Sequence, residues 1–245
     1  VERDFPNAPV PNTFFPSALA NALAGQDLDT NANDINAQFS SDFNFYMGFD
    51  HVVPAGQVDL LVVLLHEMGH GLGFLTFVNS ATGQKFNGLD DHYMRFLVDE
   101  ATGLKWPDMS DGQRAGSAVD EGLLQWSGDF AIAAASNISA GNGTLGPRMY
   151  APQILSGGSS VSHYDTVMTP NDLMEPFITS GPQQFMTEAL FRDIGWPFND
   201  GGGGPVTLRI ADKTAVEGNT GLTMMDFELT LSSATNSAVT ANFTT

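Results

Sequence analysis

His66-Glu67-Met68-Gly69-His70 spells H-E-x-x-H, a pattern in which two imidazoles can share one metal ion. Zinc–nitrogen bonds are about 2.0–2.1 Å long, so both rings must come close to the same point. Residues four apart lie roughly 13 Å apart on a strand but roughly 6 Å apart, one turn on, in a helix. Only the helix brings the rings together. The spacing therefore predicts a helix over residues 59–72, with Asp59 as N-cap. Leu61, Leu65, Met68 and Leu72 recur at helical spacing and predict the core-facing stripe, with His66 and His70 together on another side. Glu67, next to the first histidine, is placed to hydrogen-bond a metal-bound water rather than the metal. The apolar run 60–65 directly before the motif argues against a surface helix that merely happens to carry these residues.

A catalytic zinc takes three protein ligands and a water. Gly73 stands where H-E-x-x-H-x-x-G places a glycine that lets the chain turn sharply off the helix. Three residues further on stands Thr76, which is no ligand, so the third must come from elsewhere. The remaining histidines are His51, His92 and His163. His92, in Asp90-Asp91-His92-Tyr93, reads as a solvated polar residue. A carboxylate is the rival, Glu175 or Glu188, the latter on an expected helix as in the thermolysin-like (gluzincin) group.

The motif with Gly71-Leu72-Gly73-Phe74, a long insertion, His163, Leu173-Met174-x-Pro176 and then Leu190-Phe191-Arg192-Asp193-Ile194-Gly195 resembles the leishmanolysin group of metzincin zinc endopeptidases. The likeness covers mainly 59–73 and 163–196. It implies His66, His70 and His163 as zinc ligands, Glu67 as general base and Met174 as the Met-turn residue under the ion. Tyr164, beside the third ligand, is a candidate for steadying the oxyanion, with packing as its alternative. Members of that group are rich in disulfides, whereas this chain has no cysteine. It is therefore more similar to secreted bacterial relatives, and a secreted, bacterial setting is expected.

Composition narrows the rest. The chain has 245 residues, 28 Asp+Glu against 9 Lys+Arg and a net charge of -19. Such a chain repels phosphate backbones, which excludes nucleic acid as an expected partner. No apolar run approaches the length that spans a bilayer. The absence of cysteine removes disulfide scaffolds, cysteine nucleophiles and thiolate metal sites.

Further helices are expected at 16–24, 92–98 and 183–193, between Gly/Ser/Asn-rich loops. Residues 199–205, ending in four glycines and a proline, read as a linker. Alternating residues over 206–245 read as strands, a fragment of a longer protein. The stretches 206–212, 215–221 and 227–232 resemble the first half of a Calx-beta module. That family implies a structural Ca2+ at Glu217, although a plain turn glutamate is the better reading. The loop 27–33 misses the EF-hand pattern at Ala32 and Gln38. Three Asn-x-Ser/Thr sequons, at Asn137, Asn142 and Asn242, matter only outside bacteria.

The expected architecture is thus α+β: a metzincin-like protease domain over 1–198, the linker 199–205 and a partial all-β segment over 206–245. The expected function is a secreted Zn2+-dependent endopeptidase acting on protein or peptide substrates. The rivals are a zinc hydrolase with a carboxylate third ligand, and a non-catalytic adhesion or matrix-binding protein with a vestigial metal site.

Overall fold

The computed structural model describes residues 1–50, 52–179 and 181–198, and beyond them the strands at 208–210 and 229–231. His51, the linker, Glu217 and the Asn242 sequon lie outside the described residues. The chain divides into two compact units, Val1–Trp196 and Pro197–Thr245.

The first unit mixes short helices with two-stranded sheets, an architecture compatible with α+β. In chain order it runs β1 (Thr13–Phe14), α1 (Ser17–Ala24), β2 (Phe45–Tyr46), β3 (Val58–Asp59), α2 (Leu60–Gly71), β4 (Asp90–Asp91), β5 (Leu97–Asp99), α3 (Asp111–Ser117), β6 (Leu124–Trp126), α4 (Asp129–Ala134) and α5 (Phe185–Asp193). β1 pairs in parallel with β4, β2 in parallel with β3, and β5 antiparallel to β6. In the second unit β7 (Leu208–Ile210) pairs antiparallel with β8 (Leu229–Leu231). No described helix is long and apolar enough to cross a membrane.

The core of the first unit is aromatic and methionine-rich. Phe15, Phe74, Trp106, Trp126, Tyr164, Met94, Met149, Met168 and Met174 are fully buried. Phe74 meets Tyr164 edge-on at 5.2 Å between ring centroids, and Tyr93 meets Trp126 at 4.7 Å. These contacts hold the chain just after α2 against the chain just after His163.

α2 starts where expected. The Asp59 carboxylate accepts from the amides of Leu61 (2.9 Å) and Val62 (3.5 Å), satisfying two of the helix's free N-terminal donors. Its buried face differs from expectation. Val62, His66 and Gly69 turn inward, while Leu64 and Leu65 are each 38% exposed. The leucine stripe predicted from hydrophobicity alone is therefore not what the helix buries: the inner face belongs to His66, whose Nδ1 lies 2.8 Å from the Leu173 carbonyl, and to Gly69, which faces Met174.

Two other expectations shift. Residues 92–98 do not form a helix: a single 3-10 turn over Tyr93–Phe96 passes directly into β5, whose ladder to β6 overrides the local helical pattern. His92 is not solvated. It is buried, stacked on Phe15 at 4.4 Å, and donates from Nε2 to the Ile194 carbonyl at 3.1 Å. Burial pushes its pKa down to about 4, so it is held neutral. α5 begins at Phe185 rather than Gln183 because the Gln183 backbone pairs with residues 171–173, donating to Asn171 and accepting from Leu173, both at 2.7 Å.

Candidate metal centre

His66 and His70 project from one side of α2, and His163 comes from the loop between Ser156 and Asp165. Each ring is aimed by its own backbone partner. His66 Nδ1 lies 2.8 Å from the Leu173 carbonyl, His70 Nδ1 2.9 Å from that of Phe74, and His163 Nδ1 2.8 Å from that of Ser159. A carbonyl only accepts, so each Nδ1 carries the proton and each Nε2 presents a lone pair. The three Nε2 atoms face one another: His163 Nε2 is 3.1 Å from that of His66 and 3.2 Å from that of His70. Three acceptors at such distances repel unless a positive charge lies between them. Tetrahedral zinc with bonds of 2.0–2.1 Å separates its ligand nitrogens by about 3.3–3.4 Å, close to the observed spacing. Among the described residues this trio is the one group of three or more such side chains close enough to hold one ion.

A proton suits the site poorly as that charge. Burial, with His70 and His66 adding to it, pushes the His163 pKa down to about 3. Burial likewise lowers His70, against the opposing pull of the Phe74 carbonyl and the Glu67 charge.

The floor of the site is Met174. It is fully buried, and a Cβ on Gly69 would lie 2.5 Å from its Sδ. Glycine at the middle of the motif therefore lets the helix settle onto the methionine. The turn carrying Met174 is locked to α5: the Asp172 carboxylate accepts from the amides of Met186 (3.1 Å) and Thr187 (3.2 Å) and from the Thr187 hydroxyl. Gly73 has φ +118°, a conformation closed to most side chains, and the chain turns there so that Phe74 can present its carbonyl to His70. Val161, two residues before the third histidine, sits at φ +74°, unusual for a β-branched residue. It is held there by its amide bonding Tyr150 (2.7 Å) and its carbonyl accepting from Tyr93 (3.1 Å).

Glu67 is exposed and, with His70, lines a cleft of about 480 Å³ that is bordered also by residues 33–38 and by Val1, Pro16 and Ser17. The cleft opens beside the edge of α2 that carries Glu67 and His70. Tyr164 does not reach it: the ring is fully buried and its hydroxyl donates to the Met186 carbonyl at 2.8 Å, the packing role. Neither Glu175 nor Glu188 belongs to the trio. Glu188 is exposed on α5. Glu175 is buried beside Met174, with Oε1 lacking a hydrogen-bond partner, and burial, Asp172 and Asp165 raise its pKa to about 7.

Sequence reasoning missed the three orienting carbonyls, the Asp172 clamp and the cleft wall at 33–38. The Asp172 clamp has no local signal, since it caps a helix that begins 13 residues later. The loop 27–33 is knitted by its own side chains: Asp27 accepts from the Asp29 amide (3.0 Å) and Asp29 from the Asn31 amide (3.1 Å).

A family model described as SPBPB7E8-like matches residues 16–105, a span that includes His66, Glu67 and His70 and stops short of His163. No curated protein and no solved structure matches the chain.

Proposed function

We propose that the chain is a zinc endopeptidase with His66, His70 and His163 as ligands and Glu67 as general base. The observation that carries this reading is the convergence of three proton-free Nε2 atoms, that of His163 lying 3.1 Å from His66 and 3.2 Å from His70, next to an exposed glutamate in an open cleft. Zinc, when bound, supplies Lewis acidity toward a water and a peptide carbonyl. The chain's own groups do the remaining work. The carbonyls of Leu173, Phe74 and Ser159 fix the three rings, in the manner that orients metal-bound histidines generally. Met174 under Gly69 keeps the ligand edge of α2 at one height. Glu67 Oε takes the proton of the attacking water and returns it to the leaving amine. The substrate is a protein or peptide laid along the cleft between α2 and residues 33–38, and the extracellular setting belongs to this reading through the likeness to secreted metzincins.

The test is Glu67→Gln in the zinc-loaded protein. Zinc stoichiometry stays at one per chain while peptide hydrolysis falls by about 10²–10⁴-fold. Hydrolysis that persists unchanged refutes the base. A peptide library left intact by the wild-type protein, with zinc bound and with no difference on adding chelator, refutes the endopeptidase.

A further inference from the structure

We propose that Asp34 is a specificity-determining residue of the cleft, its carboxylate receiving a cationic side chain, lysine or arginine, of the peptide that is cut. The inference rests on the endopeptidase reading and names what that enzyme selects. Asp34 is exposed and lines the same cleft as Glu67 and His70. The other side chains on that lining are neutral. Val1 also borders the cleft, and its ammonium already faces the Glu2 carboxylate at 3.9 Å. Between Arg3 and Lys85 the sequence holds no Lys or Arg, and every lining residue except Val1 falls within that stretch. The cleft therefore carries two carboxylates and no positive side chain. Glu67 is engaged in the reaction, which leaves Asp34 as the charge available to a substrate side chain.

The carboxylate is held in place without being neutralised. Asn21 on α1 donates from Nδ2 to Asp34 Oδ1 at 2.8 Å, and Asn21 is itself fixed, its Oδ1 accepting from the Leu28 amide at 2.9 Å. The next residue, Ile35, packs on α2: a Cβ on Gly71 would lie 2.6 Å from Ile35 Cγ2, and Gly71 directly follows His70. Asp34 is thus tied to α1 through its side chain and to the ligand-bearing helix through its neighbour. Asn21 is an uncharged donor, and among the described residues no cation forms an ion pair with Asp34. A fixed, unpaired negative charge in a substrate cleft attracts a lysine or arginine, whose long stem brings its head to an exposed carboxylate. With Glu67 adding to the same field, it repels an aspartate or glutamate at that place. The pair stays in contact with water, so the preference is modest and weakens with salt.

The experiment uses a series of fluorogenic peptides on the zinc-loaded full chain, with Lys, Ala or Glu placed in turn at successive positions on either side of the scissile bond. Wild type favours Lys over Ala about fivefold in kcat/KM at one position, with Glu below Ala there, and salt erodes the difference. The ratio of Lys to Ala is read within each variant, so a general loss of activity does not enter it. Asp34→Asn brings that ratio to about one, and Asp34→Lys inverts the order, Glu then being cut faster than Lys. Should Asp34→Lys fail to fold, the flattening in Asp34→Asn decides. A wild-type ratio near one at every position, or a Lys preference that survives Asp34→Asn, overturns the proposal. So does a folded Asp34→Lys variant that gains no preference for Glu, since the loss in Asp34→Asn is then not one of charge. Anisotropy with the same peptides, labelled, on Glu67→Gln separates the two readings. A Lys preference in binding that Asp34→Asn removes, with no cleavage by wild type, sinks the endopeptidase and keeps the charge selection.

Discussion

The two walls of the site are built on opposite plans, the inner around the histidine trio and the outer along the segment that borders the cleft. The inner wall, α2 and the turn from His163 to Glu175, is dry: His66, His163, Asp165, Asp172, Leu173, Met174 and Glu175 are all buried. Nearly every polar atom there has a fixed partner, and its acids sit where burial raises Asp172 to about 6 and Glu175 to about 7. The outer wall, residues 26–50, of which 33–38 line the cleft, is wet. Its acids are exposed and cap turns or accept from neighbouring amides, as Asp34 does from Asn21 at 2.8 Å. Several of its large apolar residues, Phe43, Met47 and Phe49 among them, are exposed. Metal chemistry needs atoms held to tenths of an ångström, which only a packed, satisfied interior supplies. Recognition of varied chains needs accessible area and adaptable side chains, which a packed interior denies.

The contrast breaks most visibly at the third ligand. His163→Ala should lower zinc affinity by at least about 100-fold and abolish hydrolysis, since two ligands remain where a catalytic site takes three. Glu188→Ala, on the exposed face of α5, should leave both unchanged. Zinc titration with a competing chelator reads the difference. Loss of zinc in Glu188→Ala with retention in His163→Ala would transfer the third position to a carboxylate.

A smaller effect sharpens the packing half of the comparison. Gly69→Val drives a branched side chain into Met174, which is fully buried and has nowhere to retreat. Overpacking of this kind costs about 1–3 kcal/mol. Zinc affinity should fall with it, because the helix edge lifts off its floor. In a Met174→Ala background the same substitution should cost less, and denaturant unfolding of the four proteins gives the coupling. Independent costs would mean that the methionine does not set the height of the helix.

The helix over Leu60–Gly71 and its Asp59 cap were legible because the metal-sharing distance admits one secondary structure and aspartate is a strong N-cap. Which face it buries was not legible. A hydrophobic count assigns the interior to Leu61, Leu65, Met68 and Leu72, whereas the helix turns His66 and Gly69 inward to meet Leu173 and Met174. His163 lies 93 residues beyond His70, and no spacing argument spans that distance; only the family likeness pointed to it. The carbonyls of Leu173, Phe74 and Ser159 belong to backbone conformations set by tertiary contacts, Val161 and Gly73 among them, and every residue type carries the same carbonyl. His92 was misread because Asp90 and Asp91 beside it suggest solvent, while the pairing of β1 with β4 carries this stretch inside.

The smallest expected effect tests whether the acids of the inner wall differ from those outside. Glu175 has an ordinary value of 4.5 and is raised to about 7 in the fold, first by burial and then by Asp172 and Asp165. Between those values the folded chain binds more protons than the unfolded one. The protonated carboxyl therefore contributes stability that is fully present below about pH 4.5 and lost as pH rises through 7. Glu175→Gln mimics the protonated form at every pH. It should match wild type near pH 5 and exceed it by about 1–2 kcal/mol at pH 8, read as a shift in the urea midpoint. If Glu175→Gln is no more stable than wild type at pH 8, the buried carboxylate has found a positive partner, and the inner wall is less dry than its packing indicates.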